Sequence, residues 1–299
     1  MVNILLFGST TQTGRFILKN YKRYLKNSTI YNFSSHKDAK FYNDLKEFNF
    51  PKIVQKNQEF IIISLAPIWL FIPYLQSLLN QKSVLKKNIL GIIVISSTSA
   101  ITKKYAWNKY DKSLSQKLNF WENRLFKIKN EYKIKIKLVR PTMIYGDIGK
   151  SEDKNISILS KIIANTFILP IPKETGLRQP IHYSQLAMSI IISAKSLIKK
   201  DKKDYIFSEV LNIGGDEELT YEEILKRIKK SLPNTNFKKR FLIIKIPNRL
   251  FFMICIPIQI FSPKLYEAIQ RITVNMNGFT KSYKISKTNK KVFPINSIS

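Results

Sequence analysis

The chain has 299 residues, 44% of them apolar, so it can bury a large core, which excludes the disordered and fibrous classes. Its single cysteine, Cys255, excludes an internal disulfide and favours a reducing compartment, so a cytoplasmic protein is expected. Although the formal net charge is +31, only nine of the 51 basic residues are arginine and the lysines are spread along the chain, so no specific nucleic-acid binding is expected.

Apolar periodicity predicts alternating strands and helices through the first half of the chain. The predicted strands are Val2–Phe7, Thr29–Phe33, Phe60–Ser64, Leu90–Ser96 and Ile134–Arg140. The predicted helices are Thr13–Tyr24, Asp38–Glu47, Ile68–Leu79 and Leu114–Glu131. The chain opens directly on an apolar strand, so no signal peptide is expected. Strands that are apolar on both faces and alternate with helices indicate an α/β fold with a Rossmann-type, doubly wound parallel sheet over residues 1–147.

One stretch in this half, Phe60–Leu79, has no charged residue and is long enough to span a bilayer. Pro67 and Pro73 interrupt it, and it begins with β-branched and aromatic residues. A buried strand followed by a turn and a helix explains it better than a membrane span.

The second half, 148–299, is predicted to be a smaller substrate-side α/β portion built onto the first. Helices are expected over Ile156–Phe167, Gln185–Lys199 and Tyr221–Leu232, with a Pro-rich loop at Leu169–Pro172 and a strand at Val210–Ile213. Thr220 and Glu223 form a capping box that begins the third helix.

The segment Phe241–Phe261 is strongly apolar but contains two charged residues and two prolines. Its longest uncharged run is too short to span a bilayer comfortably. A helix packed on the protein's own core is favoured, and an interfacial helix on an anionic membrane is the alternative. The sequence also permits a homodimer, without indicating an interface.

The first loop follows a strand, precedes a helix and begins and ends with glycine: Gly8, Ser9, Thr10, Thr11, Gln12, Thr13 and Gly14. Gly8 permits a tight turn, and Gly14 lets the helix pack close to the sheet. Amides at the helix N-terminus then face a pyrophosphate, so a dinucleotide site is predicted here. The alternative is an ordinary turn between a strand and a helix.

The end of the second strand distinguishes NAD from NADP. An NAD site usually has an acidic residue there, but this chain has hydroxyl groups followed by possible cations: Ser34, Ser35, His36 and Lys37. This pattern favours a 2′-phosphate, so NADP is the predicted cofactor and NAD the alternative. The alternative is that His36 and Lys37 are simply exposed loop residues.

Four segments in order, GSTTQTG (8–14), ISLAP (63–67), VISSTS (94–99) and LVRPTMIYG (138–146), resemble the extended short-chain dehydrogenase/reductase superfamily, NAD-dependent epimerase/dehydratase group. Two later segments, GLRQPIHYSQLA (176–187) and LNIGGDEELTYEEIL (211–225), are similar to that group's substrate-side region. The resemblance covers most of residues 1–230.

The resemblance implies further site residues. Leu65, Ala66, Pro67, Arg140, Pro141 and Thr142 would join the first loop and residues 34–37 around the cofactor. Arg178, Gln179 and His182 would face the substrate. No metal site is implied.

The chain departs from the family pattern in three places. Thr11 replaces a middle glycine, and Ser184-Gln185 replaces an acidic pair. The catalytic Tyr-x-x-x-Lys is missing: with Glu122 aligned to the family's glutamate, Leu114 and Leu118 stand at the tyrosine and lysine positions, and neither can move a proton. A literal Tyr105-x-x-x-Lys109 comes too soon after the strand to be this motif.

The remaining candidates for catalysis are hydroxyl groups: Ser97, Thr98 and Tyr145, with Tyr110 in a nearby loop. The leading prediction is an atypical NAD(P)-dependent oxidoreductase or epimerase that acts on a small carbonyl or hydroxyl substrate, such as a nucleotide-sugar. The alternative is a catalytically inactive NADP-binding sensor or scaffold on the same fold.

Overall fold

The computed structural model describes residues 2–35, 41–42, 45–46, 58–81, 87–146, 156–199, 209–232 and 241–295. The strands in chain order are β1 Val2–Phe7, β2 Ser28–Ser34, β3 Phe41–Tyr42, β4 Phe60–Ser64, β5 Ile89–Ile95, β6 Ile136–Pro141, β7 Ile144–Tyr145, β8 Ile168–Pro172, β9 Leu177–Arg178, β10 Ile181–His182, β11 Val210–Gly214, β12 Leu219–Thr220, β13 Leu242–Ile246 and β14 Thr280–Lys281. The helices are α1 Gln12–Tyr24, α2 Ile68–Gln81, α3 Ser99–Thr102, α4 Lys109–Tyr132, α5 Ile156–Asn165, α6 Tyr183–Lys199, α7 Tyr221–Ser231, α8 Asn248–Phe261, α9 Pro263–Gln270 and α10 Ser282–Ser286, with a 3-10 turn at Arg271–Thr273.

Eight parallel strands form the central sheet, in the order β14-β11-β6-β5-β4-β1-β2-β3. The strand order reverses between β1 and β4, so this is the doubly wound, Rossmann-type arrangement predicted from the sequence. A crevice at the carboxyl ends of β1 and β4 is where such sheets bind ligands.

Helices cover both faces of the sheet, which explains why its inner strands are apolar throughout. Every residue of β1 and β4 is buried. On one face, α2 packs against α4 over a core that includes Leu5, Ile62 and Phe71. On the other, α1 packs against α6 over Ile4, Ile63 and Ile190.

The second half of the chain contributes directly to this sheet. β11 pairs with β6, and β14 pairs with β11 at the edge. A separate apolar cluster joins α5, α7 and Phe241. The predicted domain boundary at 147 lies outside the described residues.

The structure corrects four local predictions. Phe41–Tyr42 is a strand beside β2 rather than part of a helix over 38–47, most of which lies outside the described residues. The helix predicted from Leu114 begins at Lys109, where the side chain of Asn108 caps it. Its first turn therefore carries Tyr110, which was expected in a loop.

The other two corrections concern one pair of strands. Leu169–Pro172, predicted as a loop, belongs to β8, which pairs in parallel with β13. The segment Phe241–Phe261 therefore begins with a strand before α8. Prolines are tolerated in β8 because a two-stranded ribbon leaves one side of each strand without a partner.

The uncharged stretch at Phe60–Leu79 forms β4 and α2, as predicted. Across the described ranges of the chain, every helix is too short or too polar to cross a bilayer.

Candidate functional site

The first loop turns sharply off β1 in the crevice. Gly8 has φ of +77°, a conformation that favours glycine, and a Cβ there would lie 3.0 Å from the Ala66 nitrogen. A Cβ on Gly14 would lie 2.7 Å from the carbonyl oxygens of Gly8 and Ser9. The two glycines therefore have the predicted roles of allowing the turn and close helix packing.

Thr11 caps helix α1. Its hydroxyl donates to the Gly8 carbonyl at 2.9 Å and accepts from the Gly14 amide at 3.1 Å. The hydroxyl proton of Thr11 is thus donated within the loop. Thr11, which stands at the position of the family's middle glycine, is therefore a helix-capping residue rather than a hydrogen-bond donor to phosphate. The N-terminus of α1 still directs its first amides and the positive end of its dipole into the crevice.

A cavity of about 220 Å³ opens between this loop and the ends of β2 and β4. Its walls are mostly apolar, and Phe7 stacks on Phe33 with ring centroids 5.1 Å apart. The lining residues are Phe7, Gly8, Thr10, Thr11, Phe33, Ser34, Ser35, Leu45, Leu65, Ala66, Pro67 and Leu70. The fold thus brings together three predicted cofactor segments: the first loop, Ser34-Ser35 and Leu65–Pro67.

Polar groups lie at the end of this cavity next to β2. Thr10 Oγ1 is 3.0 Å from Ser34 Oγ, and the Arg15 guanidinium donates to the Thr10 carbonyl at 3.0 Å. None of the described residues that line the cavity is Asp or Glu. Arg15 thus brings a cation beside the hydroxyl groups of Thr10 and Ser34. His36 and Lys37 lie outside the described residues.

The remaining residues of the first loop hold it in place. Ser9 Oγ donates to the Phe33 carbonyl, and Thr13 is buried in the first turn of α1. The Gln12 side-chain amide donates to the Gly146 carbonyl at 2.8 Å, across the crevice from the first loop.

Glu122 lies where the family pattern expects a glutamate, and it is buried. Its carboxylate accepts two hydrogen bonds from the Arg140 guanidinium and one from Ser96 Oγ. Arg140, predicted as a cofactor ligand, is thus held by α4. Leu118, one turn earlier, is part of the apolar core, and Leu114 packs against it.

Of two hydroxyl groups that follow β5, one donates a hydrogen bond to the protein while the other accepts one. Thr98 Oγ1 donates to the carbonyl of Pro141 at 3.1 Å. Ser97 Oγ accepts from the Ser99 amide at 3.1 Å, so its own proton can be donated to a substrate oxygen. Ser97 Oγ thus differs from Thr98 Oγ1, whose proton is used in a contact with the protein.

Tyr145 and His182 lie together in the short β7–β10 pair. Tyr145 is 3% exposed, and its hydroxyl accepts from the Ile295 amide at 3.1 Å. Burial raises the pKa of this phenol well above its usual value. The Tyr145 ring meets the His182 ring edge-on, so the contacts of Tyr145 are those of a packing residue.

Ser184 and Gln185, which replace the acidic pair, hold His182. Ser184 Oγ lies 2.7 Å from His182 Nδ1, and Gln185 Oε1 accepts from the His182 amide at 3.0 Å. Gly146 lies against the His182 ring: a Cβ on Gly146 would be 2.3 Å from His182 Nε2.

Arg178 and Gln179 make extensive contacts inside the protein. The Arg178 guanidinium donates to the carbonyls of Leu177, Val274 and Arg271. Gln179 is buried and donates to the carbonyls of Gly215 and Phe279, and its own backbone carbonyl accepts from Thr142 Oγ1. These side chains position the loops around the crevice.

Sequence reasoning missed Arg15 and the Gln12–Gly146 bridge. Arg15 directly follows the glycine that closes the first loop, so a cation at that position was a readable signal. The bridge joins residues 134 positions apart, and only the folded chain brings them together.

No protein-family model matches the chain, and neither does any curated protein sequence. Solved structures do match. Pal from Bacillus thuringiensis is 14% identical, with a TM-score of 0.59 over 97% of this chain and 94% of that one. A UDP-N-acetylglucosamine 4-epimerase from Bacillus cereus is 17% identical, with a TM-score of 0.58 over 82% and 86% of the two chains.

A dTDP-glucose 4,6-dehydratase from Bacillus anthracis, solved in complex with NAD, is 16% identical, with a TM-score of 0.56 over 83% and 86%. The chain therefore has the fold of the nucleotide-sugar epimerases and dehydratases, and the resemblance predicted from sequence motifs is confirmed at the level of the fold.

Proposed function

We propose that this protein is an atypical NAD(P)-dependent oxidoreductase or epimerase that acts on a small carbonyl or hydroxyl substrate. The observation that carries the proposal is the cavity at the reversal of strand order, where the Gly8–Gly14 loop, Ser34-Ser35 and Leu65–Pro67 meet. Its apolar walls suit an adenine ring, and the N-terminus of α1 suits a pyrophosphate.

The finer assignment is NADP. The contacts of Arg15 and Ser34 with Thr10 support this assignment, because a cation and a hydroxyl side by side suit a phosphate group. The described residues lining the cavity offer no carboxylate to accept hydrogen bonds from the ribose hydroxyls of NAD.

The chemistry needs few groups from the protein. A bound reduced nicotinamide supplies the hydride that converts a carbonyl to a hydroxyl, with the proton taken from solvent. Ser97 Oγ donates a hydrogen bond to the carbonyl oxygen as it gains negative charge. Thr98, tied to Pro141, fixes the backbone that follows β5. A nucleotide-sugar is the proposed substrate class, because the solved structures that share the fold act on such molecules.

Turnover tests this proposal. Purified protein is incubated with NADP and nucleotide-sugars, and with NADPH and their keto forms, while the absorbance of the reduced nicotinamide is followed. Ser97→Ala is expected to lower kcat about a hundredfold, because one donor to the developing oxyanion is lost. Ser99→Ala is the matched control, since it keeps the backbone amide that contacts Ser97. Equal rates for wild type and Ser97→Ala would contradict the assignment of Ser97.

One observation favours a second function, a dinucleotide-binding sensor or scaffold without turnover. Leu118 lies in the apolar core and Leu114 packs on it, at the positions where active relatives of the resembled family have a proton-transfer pair. Saturable NADPH binding without turnover of any tested substrate would support this function instead.

A further inference from the structure

Helix α8 is apolar on all sides, yet only one side of it is covered. Phe251 and Cys255, one turn apart, are buried where the helix packs against β8 and α9. The exposed positions recur at helical spacing on the opposite side, and the large apolar residues among them are Leu250, Met253, Ile254, Ile256, Ile260 and Phe261. A helix at a water-exposed surface normally has polar residues on that side.

Two of these side chains decide how unusual the surface is. Ile260 is 79% exposed and Phe261 is 86% exposed. Leu265 of α9, directly after them, is 52% exposed. Soluble monomers rarely expose large apolar residues in such a contiguous group, which marks a surface that another phase or molecule covers. We call the six α8 residues and Leu265 the α8–α9 apolar face.

The exposed charged side chains of α8 and α9 are all basic, and the one acidic residue of these helices, Glu267, is buried. The chain from Phe241 to Tyr266 contains no acidic residue, while Arg249 begins α8 and Lys264 follows its end. Both of these basic residues are exposed. Within a chain of net charge +31, the face is thus rimmed by cations that complement an anionic surface.

An exposed tryptophan lies beside the face. Trp107 is 95% exposed, and its backbone amide donates to Glu267 of α9 at 3.2 Å. The neighbouring ring of Tyr110 is 4.0 Å from the Lys264 ammonium nitrogen. Tryptophan and tyrosine favour the boundary between lipid headgroups and acyl chains, where one part of the ring is apolar and another is polar.

We propose that the α8–α9 apolar face docks this protein on an anionic lipid bilayer, with α8 lying in the plane of the interface and Trp107 at its edge. Apolar side chains enter the acyl boundary while Arg249 and Lys264 contact lipid phosphates. Short helices without a membrane span, as in the described part of this chain, suit this mode of attachment. The inference does not depend on the proposed enzymatic function.

Vesicle flotation of the full chain tests the proposal. One set of vesicles is pure phosphatidylcholine, and the other is an equimolar mixture of phosphatidylcholine and phosphatidylglycerol. The wild type is expected to float with the anionic vesicles. The triple variant Met253→Ser, Ile260→Ser, Phe261→Ser is expected to lose about tenfold or more in partitioning, because these exposed side chains supply the insertion. Phe120→Ser is the matched control, since Phe120 is an exposed ring that packs against Trp121 and Arg124 of its own helix.

Fluorescence of Trp107 gives a second readout that does not depend on flotation. Anionic vesicles are expected to shift the emission of the wild type to shorter wavelength, and the Trp107→Phe variant is expected to lose most of that shift.

Three results would overturn the proposal. One is the absence of flotation at low salt. Another is flotation that salt abolishes and the triple variant leaves unchanged, which would mean adsorption by charge alone. The third is a dimer in solution that the triple variant dissociates, which would assign the face to a second copy of the chain. Because all the substituted side chains are exposed, the variants are expected to fold, and unchanged thermal unfolding confirms this.

Discussion

Thr10 Oγ1 lies 3.0 Å from Ser34 Oγ, so the hydroxyl of the first loop meets the hydroxyl at the end of the second strand. Arg15 contacts the same residue from the other direction through the Thr10 carbonyl. This contact joins the two segments that the sequence assigned to the pyrophosphate and to the ribose. If the proposed NADP site is here, single substitutions at these residues are expected to change the preference between NADPH and NADH.

Replacing Arg15 by alanine is expected to weaken NADPH binding about tenfold and to change NADH binding by less than about twofold. The reason is that a charged hydrogen bond to the 2′-phosphate contributes on the order of 1.5 kcal/mol, and NADH lacks that phosphate. A fluorescence titration of the nicotinamide measures both. Lys22→Ala, exposed in the last turn of the same helix, is the control. An equal loss for both nucleotides would place Arg15 outside the phosphate site.

Threonine caps both α1 and α7, but only the cap of α1 lies at the crevice, so substituting each one distinguishes an effect on stability from an effect on binding. Thr11 and Thr220 each accept a hydrogen bond from a backbone amide in the first turn of the helix. Alanine at either position is expected to lower the free energy of unfolding by about 1 kcal/mol. Only Thr11→Ala is expected also to weaken NADPH binding, because it loosens the loop at the crevice. Denaturant unfolding and the same titration measure the two effects, and weaker NADPH binding by Thr220→Ala would argue against this separation.

The buried pair of Glu122 and Arg140 is expected to be structural. Glu122→Leu leaves the guanidinium buried without its carboxylate and is expected to lower the free energy of unfolding by about 3 kcal/mol. The double variant Glu122→Leu, Arg140→Leu is expected to lose less than the single one, since no unpaired charge remains buried. Glu222→Gln should cost less than about 1 kcal/mol, because the Glu222 carboxylate pairs with the exposed ammonium groups of Lys226 and Lys245, which remain in water. A double variant less stable than the single one would refute this account.

Asp111 links acid stability to the contact between α4 and the 3-10 turn that follows α9. Burial alone raises the pKa of this carboxyl, but hydrogen bonds from Lys103, Asn108 and Arg271 outweigh it and lower the pKa from 3.8 to about 2. A folded-state pKa below the unfolded one gives stability that is present above about pH 4 and is lost as the pH falls towards 2.

Asp111→Asn removes this titration. The free energy of unfolding of the wild type is expected to fall more steeply between pH 4 and pH 2 than that of the variant, by about 2 kcal/mol over the window. Denaturant unfolding at intermediate pH values measures the difference. Parallel curves for the two proteins would show that Asp111 has the same pKa in both states.

Local patterns predicted the fold well because the central strands are buried on both faces. The apolar runs at Phe60–Ser64 and Leu90–Ser96 indicate such strands directly, and the helices between them follow from periodicity. The early start of α4 was also readable, since Asn108 and Asp111 have the spacing of an N-cap and its first turn. The β8–β13 pair could not be predicted in this way, because the two strands are far apart in sequence and neither shows a regular strand pattern of its own.

The segments that line the candidate cofactor cavity were predictable for the same reason: they directly follow β1, β2 and β4. The substrate half was not. Whether Arg178 or Arg140 faces a ligand or a protein carbonyl depends on contacts with residues far along the chain, such as Arg271 and Glu122. A sequence motif predicts where such an arginine lies in the fold, but it does not predict which group its guanidinium contacts.

The most direct test of the central claim is titration of the purified full chain with NADPH and NADH at fixed salt, for the wild type and for Ser35→Asp. Ser35 is exposed and lines the cavity, so a carboxylate there should repel a 2′-phosphate and accept hydrogen bonds from ribose hydroxyls. The wild type is expected to bind both nucleotides saturably and NADPH more tightly, and Ser35→Asp is expected to reverse that preference. Failure of the wild type to bind either nucleotide would contradict the assignment of this crevice as a dinucleotide site.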